Sequence, residues 1–335
     1  MVKISDVARH AGVSASTVSY VLSGKRSISP DTQERVWASI RALGYRPHAG
    51  GRVPASSRSN VIALVIPLRS GSYVPILMQF AVSVVTAAQA HDHYVLLLTL
   101  DEGAEGLEGV VGTALVDAII VMDIETHDAR LPVLRELDRP SVLIGFPADA
   151  TGLTCIDFDF DAAGALGVRH LAELGCRNVA LLGEPPAVYL RGTGYAERTL
   201  AGFTRTVQEL GITGTVLPCD PAPDAVRETT GRLLREHPGL TGLVVHNEAV
   251  VEPMLRTVQA EGRRVPEDLS VIVIGPDDLG LRTTPQLTSI ALPADEVARR
   301  AVDLLIAKLD GAPVPASTLL PPRLTVRDST SARQR

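Results

Sequence analysis

The sequence predicts two kinds of structure in series, a small all-α unit at the front and a larger α/β core of two doubly wound parallel sheets. Three observations carry that reading. The first forty-five residues hold three short helical patterns, each with its own start and stop signals. From Asn60 onward, short apolar runs alternate with helical stretches, the mark of repeated βα units. A chain of 335 residues also exceeds what one core organises, so two similar lobes are expected in the α/β part.

Apolar residues make up 45% of the chain and charged residues 21%, a balance that excludes global disorder. The apolar run Val61 to Leu68 is eight residues long. A bilayer span needs about 20, so no transmembrane helix is expected. Met1-Val2-Lys3-Ile4-Ser5-Asp6 has no apolar signal core, which makes the cytoplasm the expected location. Cys155, Cys176 and Cys219 lack paired metal spacing and fit reduced, buried thiols. The net charge of −6 is unevenly spread, because residues 1–60 carry nine Lys or Arg against three Asp or Glu. A basic unit ahead of an acidic body points to a polyanion at the front end alone.

The first helix takes Ser5 as its cap and Asp6 at its positive end, with Val7, Ala8 and Ala11 as its apolar stripe. Gly12 stops it. Ser14 caps a second helix whose inner side is Val18, Val21 and Leu22, while its opposite face, Ala15, Ser16, Ser19 and Tyr20, is small or polar. Ser29 caps a third helix with Pro30 at its first position. Its buried side is Val36, Ile40 and Leu43, Trp37 adds area, and Gly44 ends it. Two short helices joined by a tight Gly-containing turn, then a bracing helix, describe a helix-turn-helix unit. The second helix fits a DNA major groove only if its outward face carries no apolar bulk. Ser14, Thr17 and Ser27 offer hydroxyls to phosphates, and Lys25 and Arg26 offer charge. A three-helix bundle without a ligand would show the same pattern.

Ile4-Ser5-Asp6-Val7-Ala8-Arg9-His10-Ala11-Gly12-Val13-Ser14, then Thr17-Val18-Ser19-Tyr20-Val21-Leu22 and Leu43-Gly44-Tyr45-Arg46-Pro47, resemble the DNA-binding headpiece of the LacI/GalR (lactose-repressor) family. The resemblance implies that Ala15, Ser16 and Tyr20 read bases. Ala15 can touch only a thymine methyl, and Ser16 can bond either kind of edge. Tyr20 stands where many members have Arg, so the commonest guanine contact is absent there.

Residues 46–60, rich in Gly, Pro and Ser, read as a linker after a headpiece of residues 1–45. In the family this segment forms a hinge helix with a leucine wedged into the minor groove. Here Pro54 takes the leucine's place, and Gly50 and Gly51 fall inside the expected helix. Arg52, Val53 and Pro54 are the candidate minor-groove residues. A flexible tether with Arg52 and Arg58 on phosphates is the alternative.

In the body, Val61 to Ile66, Tyr94 to Leu98 and Ala118 to Val121 read as buried parallel strands, with helices at Ile76 to Ala90 and Arg130 to Leu137. The order repeats after Asp159: strands Val179 to Leu182, Leu243 to Val245 and Val271 to Ile274 alternate with helices ending at Leu174, Leu210, Arg235 and Ala260. Ligands of such sheets bind beyond the carboxyl ends of the strands. That rule nominates Arg69, Ser70 and Tyr73, then His246, Asn247 and Glu248, then Gly275, Pro276, Asp277 and Asp278. Each alone would serve equally well as a cap or turn residue.

The resemblance continues through Val116 to Val121, Leu174-Gly175-Cys176-Arg177-Asn178-Val179, Val265-Pro266-Glu267-Asp268-Leu269-Ser270-Val271 and Pro285 to Ile290. It implies a two-lobed, periplasmic-binding-protein-like core over 61–335 with three chain crossings. The N-lobe covers about 61–159 and 290–320, and the C-lobe about 160–289 and 321–335. By resemblance, Asn247 and Asp277 fall on effector positions. Thr199 stands where the family has Arg, with Arg198 displaced by one, and Asp159 is followed by Phe160 in place of Asn. The cleft candidates are therefore Ser70, Tyr73, Asp159, Arg198, Thr199, Asn247 and Asp277.

There is no phosphate loop, no Gly-x-Ser-x-Gly elbow and no His-Glu-x-x-His helix, so no enzyme, cofactor or metal is expected. His91-Asp92-His93 resembles a metal pair but reads as a solvated turn. The function implied is a sequence-specific transcriptional regulator, a repressor, binding a near-palindromic DNA operator as a homodimer under a small-molecule effector, a sugar or related metabolite. An activator of the same family, or a sugar-binding receptor or enzyme on the same core, is the alternative.

Overall fold

The computed structural model describes residues 4–23, 26, 28–43, 58–69, 71–99, 101, 103–112, 115–137 and 139–333, without the side chains of 22, 23 and 110–112. Two compact units emerge, Met1–Arg58 and Ser59–Arg335.

The front unit holds α1 (Ile4–Ala11), α2 (Ala15–Ser23) and α3 (Pro30–Leu43). Gly12, at φ +66°, turns the chain out of α1 in a conformation that favours glycine. The Ser14 hydroxyl then accepts the Thr17 N–H at 3.1 Å and caps α2. Val7, Ala8, Ala11, Val18, Val36 and Ile40 form the core. Two expectations need correction. Ser5 lies inside the first turn of α1 rather than before it. Trp37 is 41% exposed, because it lies about 100° round the helix from Val36, and Ser39 is buried instead. The Ser39 hydroxyl donates to Arg35 O at 2.8 Å and sits 3.0 Å from His10 Nδ1.

The second unit begins with β1 (Val61–Val65), α4 (Val74–Gln89), β2 (Tyr94–Leu98), α5 (Gly103–Gly112), β3 (Ala118–Val121), α6 (Leu131–Glu136), β4 (Ser141–Ile144) and β5 (Cys155–Phe158). It continues with α7 (Phe160–Glu173), β6 (Asn178–Gly183), α8 (Pro186–Leu190), α9 (Gly194–Glu209), β7 (Thr213–Pro218) and α10 (Pro223–Glu236). Next come β8 (Gly242–Val245), a 3-10 turn (Glu248–Val250), α11 (Val251–Ala260), β9 (Ser270–Gly275), α12 (Asp277–Arg282) and β10 (Thr288–Ala291). The chain ends in α13 (Ala294–Leu309), β11 (Ser317–Leu320) and β12 (Leu324–Thr325).

The strands form two six-stranded sheets, ordered β11-β5-β4-β3-β1-β2 and β12-β10-β9-β8-β6-β7. All pairs are parallel except β12 with β10. The chain passes between sheets three times: at Asp159, between Ala291 and Ala294, and between Leu320 and Leu324. The second passage falls after Ala291, not after residue 289, because Ile290 and Ala291 still pair with Ile274 and Gly275.

Alternation explains why the apolar runs are continuous. In the first sheet, Ile62, Leu64 and Ile120 face α4 and α13, while Ala63, Ile119 and Leu143 face Leu107 and Leu131. In the second, Leu182, Leu243 and Val273 face α10 and α11, while Leu181, Val244 and Ile272 face α7 and α9. Both faces are covered, so both parities must be apolar. The strand at Tyr94 to Leu98 is the exception. It is not buried, and Tyr94 is 75% exposed, because β2 is the sheet edge. His93 is buried, contrary to the solvated-turn reading, and its Nδ1 lies 2.6 Å from His91 O. All three cysteines are buried and free. No helix among the described residues is long and apolar enough to cross a membrane.

Candidate functional site

In the front unit, the Val18 side of α2 is sealed against α1 and α3, which leaves Ala15, Ser16, Ser19 and Tyr20 exposed together on the outward face. The Ser14 hydroxyl lies 2.8 Å from both Ser16 Oγ and Thr17 Oγ1, a local network at the positive end of the helix. The Arg26 guanidinium sits 6.0 Å from the centroid of the Tyr20 ring, at the outer limit of a cation–π contact. The face is small and polar at one end, with an aromatic ring and a cation at the other. Lys25, Ser27, Arg52, Val53 and Pro54 lie outside the described residues.

In the second unit, a cavity of about 760 Å³, counting its open mouth, lies between the two sheets. Each sheet contributes the residues just beyond the ends of its strands. Met122, Asp123 and Ile124 come after β3, Gly145 after β4, Glu184 after β6, and His246 and Glu248 after β8. Tyr73, Ile76, Leu77 and Phe80 enter from the start of α4, Phe160 from α7 and Tyr195 from α9. Phe160, Tyr195 and His246 pack as a ring cluster with centroids 5.5–5.7 Å apart.

Buried carboxylates dominate the electrostatics. Burial pushes Glu248 up to about 7 and Asp157 up to about 6, the latter despite Arg198 at 3.0 Å. Burial, reinforced by the charges of Glu248 and Asp123, holds Glu184 well above the carboxylate range. Asp123 is raised by burial against the pull of Arg69, whose Nη1 lies 3.2 Å away. Burial lowers His246 to about 4, leaving a neutral ring at pH 7. The loop bearing Asp123 is fixed by Arg130, which donates to Asp128 and to the carbonyls of Met122 and Asp123 at 2.6–3.2 Å.

Residues 3–48 match the family model described as bacterial regulatory proteins, lacI family, and residues 168–330 match the periplasmic binding protein-like domain. The chain belongs to the LacI family. The ribose operon repressor of Halalkalibacterium halodurans is 27% identical, covering 98% of this chain and 97% of that protein. The regulator GalS of Salmonella typhimurium is 29% identical, covering 100% and 98%. Among solved structures, the Lac repressor dimer bound to operator and the anti-inducer ONPF superposes with a TM-score of 0.81 at 25% identity, covering 99% of each chain. The CelR–cellobiose complex does so with 0.68 at 25%, covering 98% and 100%.

Of the seven effector candidates of this LacI-family sequence, Ser70, Tyr73, Asp159, Arg198, Thr199, Asn247 and Asp277, only Tyr73 lines the cavity, and Ser70 lies outside the described residues. Asp159 caps α7, accepting the Ala162 N–H at 3.0 Å. Arg198 is held at the rim by Asp157 and the Phe158 carbonyl, over the ring of Phe146 at 5.3 Å. Thr199 is buried in α9 and donates to Tyr195 O, since one residue along a helix turns it from cleft to core. Asn247 points inward, donating to Gly183 O at 3.2 Å and Cys219 O at 2.9 Å, and so ties the ends of β6 and β7 together. Asp277 is taken up by Arg327 and Ser289 at 2.6 and 2.7 Å.

The groups that do converge are Asp123, Phe160, Glu184, Tyr195, His246 and Glu248. The strand-end rule reached His246 and Glu248. Applied to Val121 and to Gly183, it would have reached Asp123 and Glu184 as well.

Proposed function

We propose that this LacI-family chain is a sequence-specific transcriptional repressor, acting without catalysis in the cytoplasm as a homodimer on a near-palindromic operator. The observation that carries this reading is the outward face of α2. Its four adjacent exposed side chains include no aliphatic bulk beyond Ala15, so the helix can enter a major groove. Ala15, Ser16 and Tyr20 would read base edges, while Thr17 and Arg26 approach phosphates. Headpiece (1–45), linker (46–60) and core (61–335) divide the work.

The core supplies dimerisation and control. Val82 and Val85 on α4 and Tyr94, Leu96 and Leu97 on the edge strand β2 are exposed apolar residues of one lobe, and a twofold partner would cover them. A small molecule in the inter-lobe cleft that favours one lobe arrangement by about 1–3 kcal/mol changes operator affinity roughly 5–150-fold. The test is selection of bound genomic fragments by the full chain, followed by footprinting. The expected result is two protected half-sites about 34–36 Å apart or a multiple of that, with binding that weakens as salt rises. Absence of any protected site would overturn the reading.

A further inference from the structure

Among the described residues, the acids of the cleft outnumber the cations paired with them. Arg69 divides itself among Asp101, Asp123 and Glu125 at 2.7–3.2 Å, and Arg198 is held by Asp157. Among the described residues, no hydrogen bond or ion pair reaches the Glu184 carboxylate, although Glu184 is only 6% exposed. Glu248 leans on its own backbone N–H. Arg191 attracts Glu184, but burial and the charges of Glu248 and Asp123 outweigh it. Beside them His246 is 3% exposed, and its Nδ1 has no partner. The other wall is apolar, built from Ile76, Leu77, Phe80, Met122 and Ile144. His246 Nδ1, buried and unpaired, carries a desolvation penalty, and the two acids beside it face the cavity, so the three groups are complementary to a donor that arrives with the ligand.

We propose that the cleft takes a cationic small molecule, an ammonium-bearing compound with an apolar flank, whose charge sits among Glu184, Glu248 and Asp123. The inference rests on the reading of the inter-lobe cleft as the effector site and deepens it. A neutral polyol matches this lining poorly, because each hydroxyl must find a partner and one wall offers none. An ammonium group instead concentrates its donors on the acidic side, where charge-assisted bonds are strongest. The rings of Phe160 and Tyr195 line the same space, although the Arg198 guanidinium already lies 5.9 Å from the Phe160 centroid. A hydrocarbon flank then fills the apolar side.

The experiment is calorimetry on the full chain at pH 7.5 with matched pairs: glucosamine against glucose, cyclohexylamine against cyclohexanol, and piperidine against tetrahydropyran. The expected result is a preference for the cation of at least about tenfold in the pairs that bind. Glu184→Gln and Glu248→Gln should each reduce that preference while the melting temperature of the free chain holds or rises, since each replaces a buried acid by a neutral group of the same shape. The inference falls if the neutral members bind as tightly, if no cation saturates the chain below about 10 mM, or if the preference survives both substitutions. A chain that binds the cations but protects no operator would sink the regulatory reading alone. A chain that footprints and takes the neutral members would sink this inference alone.

Discussion

Gly202→Ala tests whether the second lobe is built as described. Helices α7 and α9 approach so closely that each needs a glycine at the contact. A Cβ on Gly202 would lie 1.9 Å from the Asp161 carbonyl oxygen, and one on Gly164 would lie 2.3 Å from that of Thr199. The Gly202 contact falls roughly 1.5 Å short of ordinary van der Waals distance, and the opposing atom is backbone, which cannot rotate away. Overpacking of this kind costs about 3 kcal/mol, the upper end of the usual range. Removing a helix glycine returns about 1 kcal/mol, for a net loss of about 2 kcal/mol. Gly109, on an exposed face of α5 with nothing within 4 Å of its would-be Cβ, is the control. Gly109→Ala should stabilise by up to about 1 kcal/mol. Urea titrations of both variants should therefore separate by about 3 kcal/mol, or roughly 1 M in midpoint at an m value near 3 kcal/mol/M. Because Phe160 opens α7 and Tyr195 lies in the first turn of α9, Gly202→Ala should also weaken ligand binding in the cleft. A Gly202→Ala chain as stable as wild type would refute the close approach.

Three further outcomes are expected. Glu248 sits at about 7 in the folded chain, above its ordinary 4.5, so the folded state holds the proton more tightly and stability falls as pH rises through 7. His246, lowered to about 4, works the opposite way between about 4 and 6.5, but alike in both chains, so their comparison runs from about pH 5 to 8, where the Glu248 slope is largest below 7 and fades above it. Calorimetric melting there should slope less for Glu248→Gln than for wild type; an unchanged slope would remove Glu248 from the buried set. Tyr20→Ala should alter which operator wins a binding selection, whereas Arg26→Ala should weaken all sequences alike and flatten the salt dependence; a uniform loss for Tyr20→Ala would contradict base reading. Leu97→Asp, on the exposed edge strand, should shift the chain toward monomer in sedimentation and lower operator affinity; a dimer of undiminished strength would move the interface elsewhere.

Strands such as Val61–Val65 and Ala118–Val121 were legible because both faces are buried and the run is unbroken. Strand β7, Thr-Gly-Thr-Val-Leu-Pro, was not, since an edge strand with a single neighbour is only partly buried on either face, keeps polar residues and breaks the run. The headpiece helices were legible from local chemistry, Gly12, the Ser14 cap and Pro30, all of which act within four residues. The cleft was legible only by position. Asp277 looks like a ligand group until Arg327, fifty residues downstream, is brought to 2.6 Å. Asn247 looks the same until the carbonyls of Gly183 and Cys219 take its amide. Conversely, Glu184 and Asp123 look like turn residues, and only the three-dimensional packing reveals that they are buried.

The division of charge between lobes gives a ligand something to act on. Asp123 belongs to the first sheet, and Glu184 and Glu248 to the second. The lobes already touch at the cleft edge, where Gly194 N–H donates to Ile124 O at 2.9 Å and Thr126 N–H to Gly192 O at 2.7 Å. On the proposed reading, drawing the lobes together would crowd these acids, which must then either repel one another or take up protons, so closure would be opposed by the residues that line it. A cation seated among them removes that opposition only when the lobes are closed. A neutral ligand of equal size would leave it in place. A ligand shifts an equilibrium only by its difference in affinity for the two states. On the proposed reading that difference would be carried by acids contributed from both sides, so the groups that recognise the ligand would also resist closure without it.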